Sequence, residues 1–217
     1  MMNIRNRFKK FGGDHIPDVI EYLRGYIERD PIVTISVGCD SIQKRKRTLF
    51  AITIMIYSID YRNGAHVIFF RENVDKIRNH FVRLQKEADI ALEVAEFLNT
   101  ELSEFYNRKD LTDPELKRYK FHCSKCNGEY QNVSSEEAVI RNLPLTEADK
   151  QLEYKLVDLH LDFNPFEGTV DKKGVAKNKS NLNYRASVGS LRSMGYRVFC
   201  KSISYAASSA ADLLLQD

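Results

Sequence analysis

The sequence predicts a mixed α/β fold: a five-stranded sheet flanked by helices, with a helical insertion between the first long helix and the fourth strand. Three patterns predict it. Apolar and polar residues alternate with a period of two over 33–40, and β-branched and aromatic residues crowd 48–59 and 65–71. Apolar residues recur at helical spacing over 17–29 and 75–104. After residue 153, short apolar strands alternate with helical stretches, which implies a mixed sheet with helices on its faces. Residues 1–217 read as one domain, with 107–152 as an insertion subdomain.

Each element has a local cause. Pro17 suits a helix first turn, Ile16, Ile20, Leu23 and Ile27 form a stripe, and Asp30-Pro31 stops the helix. Val33, Ile35, Val37 and Cys39 then alternate with Thr34, Ser36, Gly38 and Asp40 as the first strand. The second strand spans 48–59, and Asn63-Gly64 turns the chain into a third strand over 65–71, an antiparallel meander. In the helix over 75–104, Ile77, Phe81, Leu84, Ala88, Ala91, Ala95, Leu98 and Leu102 share one face. Within the polar segment 107–152, Ser134-x-x-Glu137 and Thr146-x-x-Asp149 resemble helix starts. A fourth strand follows over 155–163. Next come a Gly/Lys-rich loop over 164–179, a helix over 180–194 ended by Gly195, a fifth strand over 196–201 and a last helix over 204–215.

Composition bounds the function. The chain has 217 residues, 43% hydrophobic and 29% charged, which excludes a disordered or collagen-like chain. No apolar run approaches the ~18 residues of a membrane helix, and the basic N-terminus has no apolar stretch behind it. Four cysteines do not make a disulfide framework in a chain of this length. These features predict a cytoplasmic protein with reduced thiols and no membrane partner. The net charge of +3 is too near balance to name a partner, but two basic stretches stand out. One is Lys44-Arg45-Lys46-Arg47; the other holds Lys172, Lys173, Lys177, Lys179 and Arg185.

The chemistry signal is four acids in mainly apolar surroundings. Asp40 ends the first strand, Glu87 lies at the edge of the long helix's apolar stripe, Asp162 ends the fourth strand, and Asp212 sits among alanines and leucines in the last helix. Each has a bland alternative. Glu87 as an edge residue reaches water, Asp212 is an exposed acid near a helix end, Asp40 caps a strand exit, and Asp162 supports an Asx turn. Together they suggest convergence at one point. Several carboxylates at one site need a counter-charge, and hard oxygen donors suit Mg²⁺ or Mn²⁺. Two such ions about 4 Å apart form a clamp for in-line displacement at phosphorus. Both basic stretches follow strand ends that carry one of these acids, where they would grip phosphates.

Several segments also carry a resemblance. They are Val37-Gly38-Cys39-Asp40-Ser41, the helix around Leu84 to Leu92, His160-Leu161-Asp162-Phe163-Asn164, and Ser180 through Asp212. The chain resembles the RNase H-like superfamily of nucleases and, within it, the YkuK-like family of predicted nucleases, over about 15–105 and 153–215. The resemblance implies an RNase H-like sheet with strands one and four adjacent. It implies that Asp40, Glu87, Asp162 and Asp212 are catalytic ligands of two metal ions, Asp40 bridging both. Ser41, Asn164, His160 and Lys201 would support the ligands or touch substrate, alongside Lys44, Arg45, Lys46, Arg47, Lys172, Lys173 and Lys177. Departures from the family pattern are Cys39 before the first Asp, Ile42 before Gln43, Ser202 after Lys201, and the insertion.

The expected activity is therefore metal-dependent hydrolysis of RNA, DNA or hybrid, with nucleic acid as partner. Two alternatives stay open. One is a catalytically silent nucleic-acid-binding or assembly protein that meets a protein partner through 107–152. The other is a junction-resolving or transposase-like enzyme on the same fold. Zinc at Cys123 and Cys126 is disfavoured, because one CxxC supplies two of the four ligands a structural zinc needs. No phosphate-binding glycine loop of either common type occurs.

Overall fold

The computed structural model describes residues 4–30, 32–58, 65–107, 121–123, 128–130, 154–163, 187–200 and 210–215. Its elements are β1 (Lys9–Lys10), α1 (Val19–Arg29), β2 (Val33–Gln43), β3 (Arg47–Ser58), β4 (Ala65–Asp75), α2 (His80–Leu102), β5 (Phe121–Cys123), β6 (Gly128–Tyr130), β7 (Val157–Leu161), α3 (Gly189–Ser193), β8 (Val198–Phe199) and α4 (Asp212–Leu215).

Side-chain caps fix where the helices begin. Asp18 Oδ1 accepts the Ile20 and Glu21 amides at 2.8 and 3.3 Å, so α1 starts just after Pro17. Asn79 does the same for α2, accepting from Phe81 and Val82 at 2.9 and 3.3 Å. The sequence pattern starts that helix at 75, but β4 stays paired with β3 as far as Asp75. Ladder hydrogen bonds keep those residues extended, and the helix waits for its cap. Gly195, at φ 87°, follows α3 and ends it in the left-handed region that a glycine enters without a Cβ clash.

The main sheet has six strands in the order β1-β4-β3-β2-β7-β8. The sixth is β1, which adds two residues to the β4 edge in a segment the sequence pattern left unassigned. The meander β2-β3-β4 is antiparallel, and β7 joins β2 in parallel, as does β8 with β7. Strand β7 is buried along its length, as a central parallel strand must be. One face of the sheet carries Val33, Ile35, Val37 and Cys39 beside Phe50, Ile52, Ile54 and Ile56. Helix α2 covers it at β2 and β7, and α1 packs against α2. On the opposite face Ala51 meets Ala211, Leu214 and Leu215, as α4 lies against β3 and β2. Alanine at these positions lets the helix approach the sheet closely.

Polar contacts tie the parallel strands down. The Arg197 guanidinium donates to both Asp158 carboxylate oxygens, at 2.8 and 2.9 Å, with both side chains largely buried. Asn99 on α2 accepts the Val157 amide at 3.2 Å, and the Tyr106 hydroxyl donates to the Val33 carbonyl at 2.6 Å. These contacts hold β7 beneath α2 and beside β2.

Other expected elements differ in extent. Residues 189–193 are helical after a wide turn at 187–188, and α4 runs from Asp212 after a similar turn at 210–211; 164–186 and 201–209 lie outside the described residues. In the segment expected to be helical, the described residues form an antiparallel hairpin, β5 with β6, pairing Cys123 with Gly128. The expected helix starts at Ser134 and Thr146, the Asn63-Gly64 turn and Cys126 lie outside the described residues. No helix among the described residues is long and apolar enough to cross a membrane.

Asp158→Ala should strand a buried guanidinium between β7 and β8. The expected cost is about 3 kcal/mol, which lowers the melting temperature by roughly 6–12 °C in a chain of this size. Thermal unfolding followed by circular dichroism checks this, and an unchanged midpoint would contradict the clamp.

Candidate active site

The parallel register of β2 and β7 builds the centre of the site. Gly38 lies level with His160 and Cys39 with Leu161. The next residues along the two strands are Asp40 and Asp162, so the two aspartates stand side by side where β7 ends. Side chains alternate across a strand, which puts Asp40 on the face opposite Cys39 and Ser41. That is also the face of Ala51, its partner on β3, and of α4. Asp212, exposed in the first turn of α4, is close enough for its charge to act on Asp40. Burial pushes the Asp40 carboxyl from an ordinary 3.8 up to about 6. The charges of Asp162 and Asp212 add to that rise, against the Ser41 amide, which donates to Asp40 Oδ1 at 2.7 Å, and the more distant Arg83.

Glu87 reaches this point from the other side of β2. It is 1% exposed, one of the few buried acids, and not the wet edge residue that its helical angle allows. Ser41 faces α2, and its hydroxyl donates to Glu87 Oε1 at 2.5 Å. Arg83, one turn before Glu87, donates from Nη1 to the Ser41 carbonyl and hydroxyl, both at 2.7 Å, and lies 3.4 Å from Glu87 Oε1. Its Nη2 lies 2.9 Å from His80 Nδ1. One Glu87 oxygen is thus held twice, while the other, Oε2, is buried with no hydrogen bond among the described residues. Burial, then the Asp40 charge, lifts Glu87 from 4.5 to about 8, against the Ser41 hydrogen bond and Arg83; Asp162 adds to the rise. The neighbouring Cys39 thiol reports the same field. It is pushed well up by burial and then by Glu87 and Asp40.

The structure therefore brings Asp162 and Asp212 within electrostatic range of Asp40, and Asp40 and Asp162 within range of Glu87, with Glu87 on the opposite face of the sheet from Asp40. Ser41 bridges the two sides. Lys44, Arg45, Lys46 and Arg47 form the exposed turn directly beyond, closed by the Lys44 amide donating to the Arg47 carbonyl at 2.9 Å. Asn164, Lys172, Lys173, Lys177 and Lys201 lie outside the described residues. His160 is buried and packs on the Phe199 ring, 4.7 Å between centroids. Sequence reasoning passed over Arg83 and His80. The signal for Arg83 was its position four residues before a semi-buried acid, where side chains on one helix meet.

A divalent cation suits this site in chemical type. The donors are all carboxylate oxygens, neighbouring acids add to the raised proton affinity of Asp40 and Glu87, and Glu87 Oε2 has no hydrogen-bond donor among the described residues. In the arrangement as it stands, no three His, Cys, Asp or Glu among the described residues are grouped closely enough to hold an ion together.

With sheet order, register and acids in place, the family comparison decides the architecture. The family model described as Ribonuclease H-like matches residues 18–117, just under half of the chain, through α1, the meander and α2. The fold is RNase H-like. Counted from β2, the other five strands of the main sheet run 3-2-1-4-5, with Asp40 and Asp162 at the junction of the first and fourth. A search of curated proteins found no match, and a search of solved structures found none.

The raised carboxyls make metal-free stability depend on pH. Folded Asp40 and Glu87 keep protons that the unfolded chain releases near pH 4. Their contribution is therefore fully present below about pH 4 and is lost as pH rises through about 6 and then 8. Melting temperature in EDTA should fall by several degrees between pH 5 and pH 9 on their account. Glu87→Gln should flatten the upper part of that fall. A parallel curve for the variant would contradict the placement of Glu87. Arg83→Ala should lower the melting temperature more at pH 9, where Glu87 is ionised, than at pH 5; equal losses would rule Arg83 out as its counter-charge.

Proposed function

We propose that this RNase H-like chain is a metal-dependent nuclease that hydrolyses phosphodiester bonds, closest in kind to the YkuK-like family that its motifs resemble. The observation that carries the proposal is the convergence of carboxyl groups where β2 leaves β7. Burial raises Asp40 there, with the charges of Asp162 and Asp212 adding to the rise, and burial raises Glu87, with Asp40 and Asp162 adding. Structural acids are placed to avoid such repulsion, as Asp158 is by Arg197.

Asp40, Glu87, Asp162 and Asp212 are the residues that would hold Mg²⁺ or Mn²⁺. When bound, a pair of such ions supplies a water nucleophile and charge stabilisation for the leaving oxygen. Asp40, which is within range of Asp162, Asp212 and Glu87, would be the central member of that set. Ser41 and Arg83 fix the rotamer of Glu87 by holding Oε1, which leaves Oε2 for the cation. The exposed turn 44–47 grips substrate phosphate beside the acids.

The test is cleavage of labelled RNA, DNA and hybrid substrates with Mg²⁺ or Mn²⁺. Asp40→Asn should reduce the rate about 100-fold or more. Equal rates in wild type and variant would remove Asp40 from the site. A second reading has its own support. Arg83 already meets one Glu87 oxygen, as a resident counter-charge does in a site that no longer binds metal. In that case the protein binds nucleic acid without turnover, and calorimetry shows no Mn²⁺ uptake at high micromolar concentration.

A further inference from the structure

We propose that Arg192 holds a backbone phosphate of bound nucleic acid, on the β8 side of the acids, through the Nε and Nη2 edge of its guanidinium. Its place beside a cleaved bond rests on the nuclease reading; the oxyanion site rests on the observations that follow.

A guanidinium offers two parallel donors along the edge from Nε to Nη2, spaced for two oxygens of a carboxylate or phosphate. Arg197 uses that edge in this way, with Nε and Nη2 on the two oxygens of Asp158 at 2.8 and 2.9 Å. Arg192, five residues earlier, carries the same edge with both Nε and Nη2 buried and without a hydrogen bond among the described residues. Arg24 and Arg83 also leave a buried Nε unbonded, but each has a carboxylate oxygen within reach, Glu21 at 3.3 Å and Glu87 at 3.4 Å. Arg192 has no such partner among the described residues. Buried donors are rarely left unmet unless an ion or ligand takes them. The partner that fits this edge carries negative charge on two oxygens.

The fold places the edge near the acids. Arg192 lies in the last turn of α3, and side chains lean toward the N-terminus of their helix. That end of α3 is fastened close to Glu87: the Ser187 hydroxyl, in the turn before α3, donates to Gln85 Oε1 on α2 at 2.9 Å. Cys200, just past β8, feels both Arg192 and Asp162. Burial pushes its thiol up to about 12; the Arg192 charge opposes that rise and the Asp162 charge adds to it. In the sheet β8 lies beyond β7, and the exposed cations of 44–47 lie beyond β2 on the other flank. Positive charge on both flanks of the acids suits the repeating phosphates of a nucleic-acid strand laid across them, rather than an isolated carboxylate. Arg192 is half-buried, and no hydrogen bond among the described residues fixes its rotamer, so it is free to turn this edge onto a phosphate.

Fluorescence anisotropy in EDTA tests this without cleavage. The probe is labelled RNA of about 12 nucleotides. Arg192→Gln should weaken binding ~10-fold and lower the slope of log affinity against log salt by about 1. Arg192→Lys should recover only part of the loss, since it keeps the charge without the fork. Melting temperatures without RNA should match wild type in both variants. Wild-type affinity in Arg192→Gln would overturn the proposal. So would equal falls in melting temperature in both variants with wild-type salt slopes, since the side chain would then brace α3. If inorganic phosphate raises the melting temperature of wild type but not of Arg192→Gln, and RNA affinity is equal in the two, the ligand is free phosphate and the nucleic-acid assignment falls. The nuclease reading fails separately, through Asp40→Asn. Wild-type cleavage by that variant removes the metal site, and weak RNA binding by Arg192→Gln would still leave Arg192 as a phosphate contact.

Discussion

Everything at the candidate site depends on the parallel pairing of β2 with β7. Antiparallel strands are joined by a short turn, but a parallel neighbour has to return through a long connection, here the chain between Gln43 and Val157. That connection carries α2 over one face and brings Asp162 level with Asp40. Shifting the register by one residue would send Asp162 to the α2 face and bury an acid against Leu84 and Ala88. The register is held by the apolar residues Val157, Leu159 and Leu161 beside Ile35, Val37 and Cys39, and by the Asn99 and Asp158 contacts. Core packing and acid placement are therefore one constraint.

Two ways of handling a buried acid occur in this fold. Asp158 meets a bidentate arginine and is satisfied on both oxygens. Glu87 is deeper, yet it is satisfied on one oxygen only, by a serine and an arginine on the same side. The first arrangement closes a structural joint. The second keeps a polarised acid beside other acids, a state that burial makes costly and that a cation would relieve. Arg83 moderates that cost without removing it.

Much of this was legible in the residues. Period-two alternation from Val33 to Asp40 and the stripe from Leu84 to Leu102 gave strand and helix, because a half-buried face imposes its period on the sequence. Asp40 and Asp162 stood out because acids rarely end apolar strands. What escaped notice had no periodic signature. Two residues at Lys9–Lys10 pair with β4 through backbone groups alone. The end of β4 and the start of α2 were decided by a ladder and an asparagine cap, which outweighed a helical apolar pattern over 75–79. The burial of Glu87 is a tertiary fact, as its helical angle alone puts it at the edge of the stripe. Arg83 looked like one of many surface cations until Ser41 was placed beside it.

The central claim is that the acids around Asp40 form a cation site. A crystal structure of the protein grown with Mn²⁺, with anomalous data, tests it most directly. The account predicts an anomalous peak within coordination distance of Asp40, with Glu87 Oε2 or Asp162 among its other ligands. No peak there, with Arg83 and Ser41 still closed on Glu87, would contradict it.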